Sequence, residues 1–441
     1  MDFAVPVPVQ KTCWVLPLCY ILGHYLLCAF SMTYTQGTSP WRRLYFILAL
    51  YLVYLQTKSL APLIADPPIK AVVYMHAFLH AFHILNLLLI LKVDNLDYQK
   101  KILAQPCESR VKNLLSALYL LLSYRGIQTK WQAKNTPMFP LYFSGRATIC
   151  SLRFCLRQCV ISLWQLVVFG HLVLASQQLV PAKTTCGYIL AALVDHSGLN
   201  IGLWVVMWVT LARIVIDSTY RLASVVFVAT GICAPETWPP FFNSVFDAWT
   251  LRRFWGRYWH QLLRWPFTAA ATIFVENICR LSKPGLLERY LRVFCVFTLS
   301  GVLHSIFDIC IGVPLQESGA FRFFCGFTLG FMIEDGVQSL WAHMLGKSKG
   351  LALESEERIE AEVDGGKTAT PLWQKVVGYI WVCTWLSMTT GPYIQPLFSR
   401  LCQHGVADDF VRFIELVNHS ASMKDVSIAA LCIWLTFGPF M

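Results

Sequence analysis

Long apolar runs recur along the whole chain, and they limit the fold more than any other feature. A helix that crosses a bilayer needs about 20 largely apolar residues. Candidate spans begin near Thr12, Tyr45, Val72, Leu156, Leu199, Val293, Phe321, Trp373 and Val426. Shorter or more polar candidates cover residues 113–124, 219–233 and 262–278. The pattern predicts an all-α polytopic membrane protein with roughly eight to ten spans. Composition agrees: 56% of the 441 residues are hydrophobic and 14% are charged, against about 25% charged in a soluble domain. Lysine and arginine outnumber acids, 36 to 25. Because the basic residues flank apolar runs, the excess fits a positive-inside topology rather than nucleic-acid binding.

Hydrophilic stretches punctuate the runs. Residues 92–157 are strongly basic, as are residues 234–264, and both are expected on the cytosolic face. Residues 346–370 are rich in glycine and acids and read as a solvated flexible loop. The whole chain, 1–441, is expected to be one integral membrane domain. The sixteen cysteines show no Cys-x-x-Cys pair and no zinc-ligand spacing, so they read as helix-packing thiols. Residues 13–30 lack a small-residue cleavage pattern and read as a first anchor helix rather than a removed leader.

Two constellations carry chemistry. His304 stands alone in the apolar run 292–308, twelve residues after Arg292, which is about 18 Å along a helix. A histidine inside a membrane helix is costly and marks a functional site unless a helix–helix hydrogen bond satisfies it. Ser300 and Asp308 lie one turn either side, on the same face. An acid so placed can fix the imidazole's tautomer and leave its other nitrogen as a base. Gly301 allows a neighbouring backbone or a substrate to approach closely.

The second constellation interleaves Arg252, Arg253, Arg257 and Arg264 with Phe254, Trp255, Tyr258 and Trp259. Guanidinium forks bind phosphates, and aromatic faces stack on an adenine. Arg257, Arg264, Trp255 and Trp259 are thus the candidate nucleotide contacts. An interfacial helix with snorkelling arginines is the alternative.

Other polar residues in the apolar runs offer competing signals. His76, His80 and His83 share one helical face, as in a di-iron hydroxylase, but the remaining histidines are isolated and no metal site is expected. Glu334 and Asp335 interrupt an apolar helix, as acids do in a proton-coupled transporter. Neighbouring acids diverge by about 100° on a helix, so they cannot form one dyad; one can meet a group of the site while the other pairs with an arginine. No repeated half supports the transporter. Asp195-His196-Ser197-Gly198 lacks the second histidine and the cysteine of a protein S-acyltransferase. Asn418-His419-Ser420 matches a glycosylation acceptor close to the last span.

The segment FWGRYWHQ, Phe254 to Gln261, is followed after about forty residues by LSGVLH ending at His304. In that order they resemble the wax-synthase branch of the membrane-bound O-acyltransferases. Members from fungal secondary-metabolite gene clusters are especially similar, and IEDGVQ, Ile333 to Gln338, resembles their acidic motif. The likeness spans about Phe246 to Gln338, within a wax-synthase-like region at 234–345. Upstream, only the hydropathy profile agrees.

The resemblance implies a bundle of membrane helices around a tunnel, with His304 catalytic and His260 assisting near the reacting groups. It further implies an acyl-CoA donor, acetyl-CoA in the fungal branch, as co-substrate with no permanently bound cofactor. The acceptor is a hydroxyl of a terpenoid or meroterpenoid, and the enzyme sits in the endoplasmic reticulum membrane. A long-chain wax-ester synthase is the alternative within the family. Relatives from animals and plants often carry an acid directly after the catalytic histidine; Ser305 stands there instead, and Asp308 is the expected substitute.

Overall fold

The structure is a computed structural model that describes residues 14–94, 110–139, 149–178, 198–281, 285–344 and 370–403. The span expected near Val426, the acceptor Asn418 and all but Thr370 of the charged loop at 346–370 lie outside the described residues. Regular structure among the described residues is entirely helical, and the chain divides into two compact units, residues 1–124 and 125–441.

The first unit packs α1 (Val15–Tyr34), α2 (Trp41–Leu60), α3 (Pro67–Leu85) and α4 (Arg110–Leu122). The start of α3 is written in its sequence. The Asp66 carboxylate accepts the Ile69 N–H at 2.9 Å, and Pro67 and Pro68 occupy positions where no helical donor is needed. A buried arginine, Arg42, donates to the Thr35 hydroxyl and carbonyl and to the Val93 carbonyl, at 3.0, 2.9 and 2.7 Å. Those bonds offset the cost of burying its charge. His76, His80 and His83 do share a face, as their spacing requires. The Tyr124 hydroxyl bridges His80 Nδ1 and His76 Nε2, at 2.9 and 3.0 Å, and His83 Nε2 donates to the Leu120 carbonyl at 3.0 Å. No cluster of three or more His, Cys, Asp or Glu able to hold a metal occurs among the described residues.

The second unit contains α5 (Ser151–Gln178), α6 (Gly198–Ala229), α7 (Arg264–Ile273), α8 (Leu286–Ile311), α9 (Ala320–Met344) and α10 (Leu372–Gln403). The runs beginning near Leu199 and Thr219 form one helix, α6, because the charged residues between them are satisfied within the protein. Asp217 accepts from Gln165 of α5 and from Arg221, both at 2.7 Å, and Arg221 also donates to Gln158 at 2.5 Å. The stretch at 262–278 yields only the ten-residue α7 and a π-helical turn, Phe274–Ile278, too short a helix to cross a bilayer.

Five helical segments among the described residues are long and apolar enough to cross a membrane: Val15–Tyr34, Trp41–Leu63, Pro67–Ile90, Ser151–Gly170 and Leu286–Ile311. Three more helices, α6, α9 and α10, have 32, 25 and 32 residues. The chain is an integral, multi-pass membrane protein.

Candidate functional site

The site grows from three elements of the second unit: the segment 251–261, α8 and α9. The segment begins as a single α-turn, Leu251–Arg253, which widens into a π-turn, Phe254–Tyr258. The Thr250 hydroxyl caps it by accepting the Arg253 N–H at 3.0 Å. Glu334 of α9 reaches the same end: its carboxylate accepts the N–H groups of Leu251 at 2.7 Å and Arg252 at 3.4 Å, and the Trp381 indole N–H at 3.2 Å. Two N–H groups left open at the helix start and the positive end of its dipole thus meet a buried carboxylate.

Asp335, turned away from Glu334 as the helical rotation demands, accepts both forks of Arg252 at 2.9 and 2.5 Å. It also pairs with Arg289 at 3.2 Å and accepts the Tyr290 hydroxyl at 2.8 Å, joining the segment to α8 as well. Gln261 closes the other end, donating to the carbonyls of Trp255 at 3.0 Å and Trp259 at 2.6 Å. Asn135, held at φ +60°, donates to the Gly256 carbonyl, and Asn243 donates to that of Arg257. The segment is therefore fixed by backbone bonds along its length.

His304 lies on α8, which ends at Gly312 in the left-handed region, φ +93°. Gly301, one turn before the histidine, allows α9 to come close: a Cβ there would sit 3.1 Å from the Phe321 Cα. The approach sets Phe324 parallel to the imidazole, with ring centroids 4.2 Å apart and planes at 29°. His304 Nδ1 donates to the Ser300 carbonyl at 2.7 Å. That bond fixes the Nδ1–H tautomer and makes Nε2 the basic nitrogen.

Here the structure corrects the sequence expectation for Asp308. Side chains on a helix lean toward its N-terminus, so the imidazole reaches back to Ser300. The Asp308 carboxylate instead accepts the Ser318 hydroxyl at 2.6 Å, and its other oxygen is buried with no partner among the described residues. The acceptor that orients the ring is a backbone carbonyl.

His260 follows the π-turn. Its ring lies parallel to Phe241 at 5.4 Å, with Phe242 edge-on at 5.7 Å. Phe241 also stacks on Tyr220 at 4.4 Å, above the buried Arg125, whose guanidinium donates to the carbonyls of Pro239 and Pro240. Burial, with nearby His304 and Arg125 adding to it, pushes the His260 imidazole down to about 3. It is a neutral group at cellular pH, and its Nδ1 is buried with no partner among the described residues.

The four arginines divide. Arg252 is bound to Asp335, and Arg253 donates to the Asp247 carbonyl and carboxylate at 3.0 and 3.1 Å; both hold the fold. Arg257 and Arg264 are half-buried, and Arg264 donates to the Gly256 carbonyl and Gln261 at 3.3 and 3.1 Å. Trp259 is buried, with its ring stacked on Phe254 at 5.6 Å. Trp255 is half-buried and packs against Phe297, Phe324 and Phe327 at 5.7, 5.8 and 5.0 Å. Sequence reasoning missed Phe324, Phe241 and Arg125. A phenylalanine in an apolar run or an arginine in a basic stretch carries no mark of its partner.

Residues 238–326, which hold the segment, α7, α8 and the start of α9, match the Membrane bound O-acyl transferase family. The acetyltransferase atnC of Arthrinium sp is 35% identical over 330 residues, covering 71% of this chain and 72% of its own length. The acetyltransferase pyr8 of Aspergillus fumigatus is 30% identical over 399 residues, 88% of this chain and 89% of its own. The acetyltransferase TRI7 of Fusarium sporotrichioides is 31% identical over 322 residues, 70% and 69% respectively. No solved structure matches the chain. With His304 and its motif inside the matched region and relatives alike over most of their length, the chain belongs to the membrane bound O-acyl transferase family and is an acyltransferase.

Proposed function

We propose that the enzyme transfers an acetyl group from acetyl-CoA to a hydroxyl of a hydrophobic polycyclic secondary metabolite, a terpenoid or meroterpenoid. The acetyl group is supported by relatives named acetyltransferases. The observation that carries the chemistry is the His304 tautomer. Nδ1–H is spent on the Ser300 carbonyl, so the Nε2 lone pair is the base.

In the proposed reaction Nε2 takes the alcohol proton as the alcohol oxygen attacks the thioester carbonyl. The tetrahedral intermediate collapses, the C–S bond breaks, and the CoA sulfur recovers the proton from His304. No acyl-enzyme is needed if donor and acceptor meet in one tunnel between the helices. His260 assists beside the reacting groups as a neutral imidazole, and Asp308 supports the His304 helix through Ser318. Arg257 and Arg264 contact the CoA phosphates from the cytosolic face. The enzyme works in the endoplasmic reticulum membrane, and its acceptor arrives through the bilayer.

The test uses yeast microsomes carrying the full chain, supplied with labelled acetyl-CoA or palmitoyl-CoA and a panel of terpenoid and fatty alcohols. Acetyl ester formation dependent on His304 is expected. Ester formation from palmitoyl-CoA alone would replace the reading with a long-chain wax-ester synthase.

A further inference from the structure

Trp255 carries a polar atom that its surroundings do not use. Its ring is enclosed by Phe297, Phe324, Phe327 and Trp259, yet its indole Nε1 is buried with no acceptor among the described residues. Buried N–H groups are almost always paired, and an exception in a site asks for a reason. An indole N–H can only donate. Unlike the hydroxyls of Ser305, Thr328 and Thr390, also without partners among the described residues, it cannot turn back to a carbonyl of its own helix.

Its position supplies the reason. Phe324 is the shared wall: its ring centroid is 5.8 Å from that of Trp255 and 4.2 Å from that of His304. Laid end to end, these separations put the indole and imidazole no more than 10.0 Å apart. A tetrahedral intermediate flanked by one hydrogen bond to a base and one to an oxyanion donor spans about 7 Å between the two nitrogens. The segment bearing Trp255 is also rigidly held, since Gln261 Nε2 donates to the Trp255 carbonyl and Glu334 binds the N-terminal end. A donor fixed before reaction stabilises a developing charge with little reorganisation.

We propose that the Trp255 indole N–H is the oxyanion donor for the thioester carbonyl, a catalytic role distinct from binding the CoA nucleotide. This rests on the acetyl-transfer reading above. As the alcohol oxygen forms its bond to the carbonyl carbon, the C=O π pair moves onto the carbonyl oxygen and is held by Nε1–H, while His304 Nε2 takes the alcohol proton. When the pair returns, C=O re-forms, the C–S bond breaks and the thiolate takes the proton from His304.

The experiment compares wild type, Trp255→Phe, Trp385→Phe and a variant with 3-benzothienylalanine at position 255, in microsomes with labelled acetyl-CoA and an accepted alcohol. Benzothiophene keeps the volume and faces of indole but has no N–H, so it removes the donor without disturbing the packing. Both changes at position 255 are expected to lower kcat at least about 100-fold, the scale of losing one oxyanion donor, with the acetyl-CoA KM within about twofold. Trp385 also has a buried indole N–H without an acceptor among the described residues, but packs on Trp381 and Phe327. Trp385→Phe is expected to keep wild-type kcat. Wild-type kcat in the benzothienyl variant would overturn the proposal, and so would an equal loss in Trp385→Phe. A wild-type enzyme that acetylates no alcohol would instead remove the acetyl-transfer reading beneath it.

Discussion

His304 lies against Phe324 with the two rings nearly parallel, 4.2 Å apart, and the imidazole's Nδ1 bonded to a carbonyl of its own helix. The base is therefore held by one aromatic wall and one backbone acceptor. His304→Ala should leave membrane insertion intact and lower turnover at least about 100-fold, the lower range for a lost general base. Phe324→Leu should retain the Nδ1 bond but loosen the ring, costing about tenfold in kcat. Ester formation per folded molecule measures both, and wild-type turnover in His304→Ala would remove the residue from the mechanism.

Asp308 gives a different expectation now that its partner is Ser318. Asp308→Asn and Ser318→Ala break the same link, so each should cost less activity than His304→Ala. Their combined effect should fall short of additive, as for contacting residues. A double variant whose losses simply add would show that Asp308 acts elsewhere.

The Arg257 and Arg264 assignments predict a split between substrates. Lysine keeps the charge but loses the planar fork, so Arg→Lys at a phosphate-contacting position should raise the acetyl-CoA KM more than that of the alcohol. If these arginines are only interfacial anchors, membrane-inserted yield falls while the kinetics per folded molecule stay constant. Substrate titrations on yield-normalised microsomes distinguish the two.

Glu334 holds the start of the 251–261 segment through two backbone N–H groups and the Trp381 indole. Glu334→Ala leaves those donors buried and should lower thermal stability by about 3 kcal/mol or more, since each unpaired donor costs about 1–3 kcal/mol. Glu334→Gln keeps an acceptor oxygen and should recover part of the loss. Thermal unfolding in detergent reads both; equal stability of the alanine variant and wild type would mean that the segment is held without Glu334.

His260 makes folding sensitive to acid. Its imidazole is pushed down to about 3 in the folded protein, against about 6.5 when unfolded. The unfolded chain thus binds the extra proton between those values. The stability contribution is fully present above pH 6.5 and is lost as the pH falls toward 3, by up to about 1.4 kcal/mol per pH unit. His260→Gln should flatten the decline in melting temperature between pH 7 and pH 5. A slope identical to wild type would show that other groups govern it.

Much of this protein was legible in its sequence. Apolar run length determined the helical membrane class, because each run must supply its own helix. His304, Glu334 and Asp335 stood out because polar groups in apolar helices are costly, and the rotation between adjacent residues already separated the two acids. That same rotation sends Glu334 to backbone N–H groups and Asp335 to Arg252.

Tertiary structure decided what periodicity cannot encode. Asp308 and Ser300 share a face with His304, but only the direction of the side chain on α8 gives the ring to the Ser300 carbonyl and Asp308 to Ser318. Trp255 and Trp259 look alike in a motif of arginines and aromatics. Trp259 stacks on Phe254 within its own segment, whereas packing across helices sets Trp255 against Phe324, the ring that also meets His304. Sequence spacing fixes neighbours along one helix, whereas contacts between helices depend on how side chains from several elements fill a shared space.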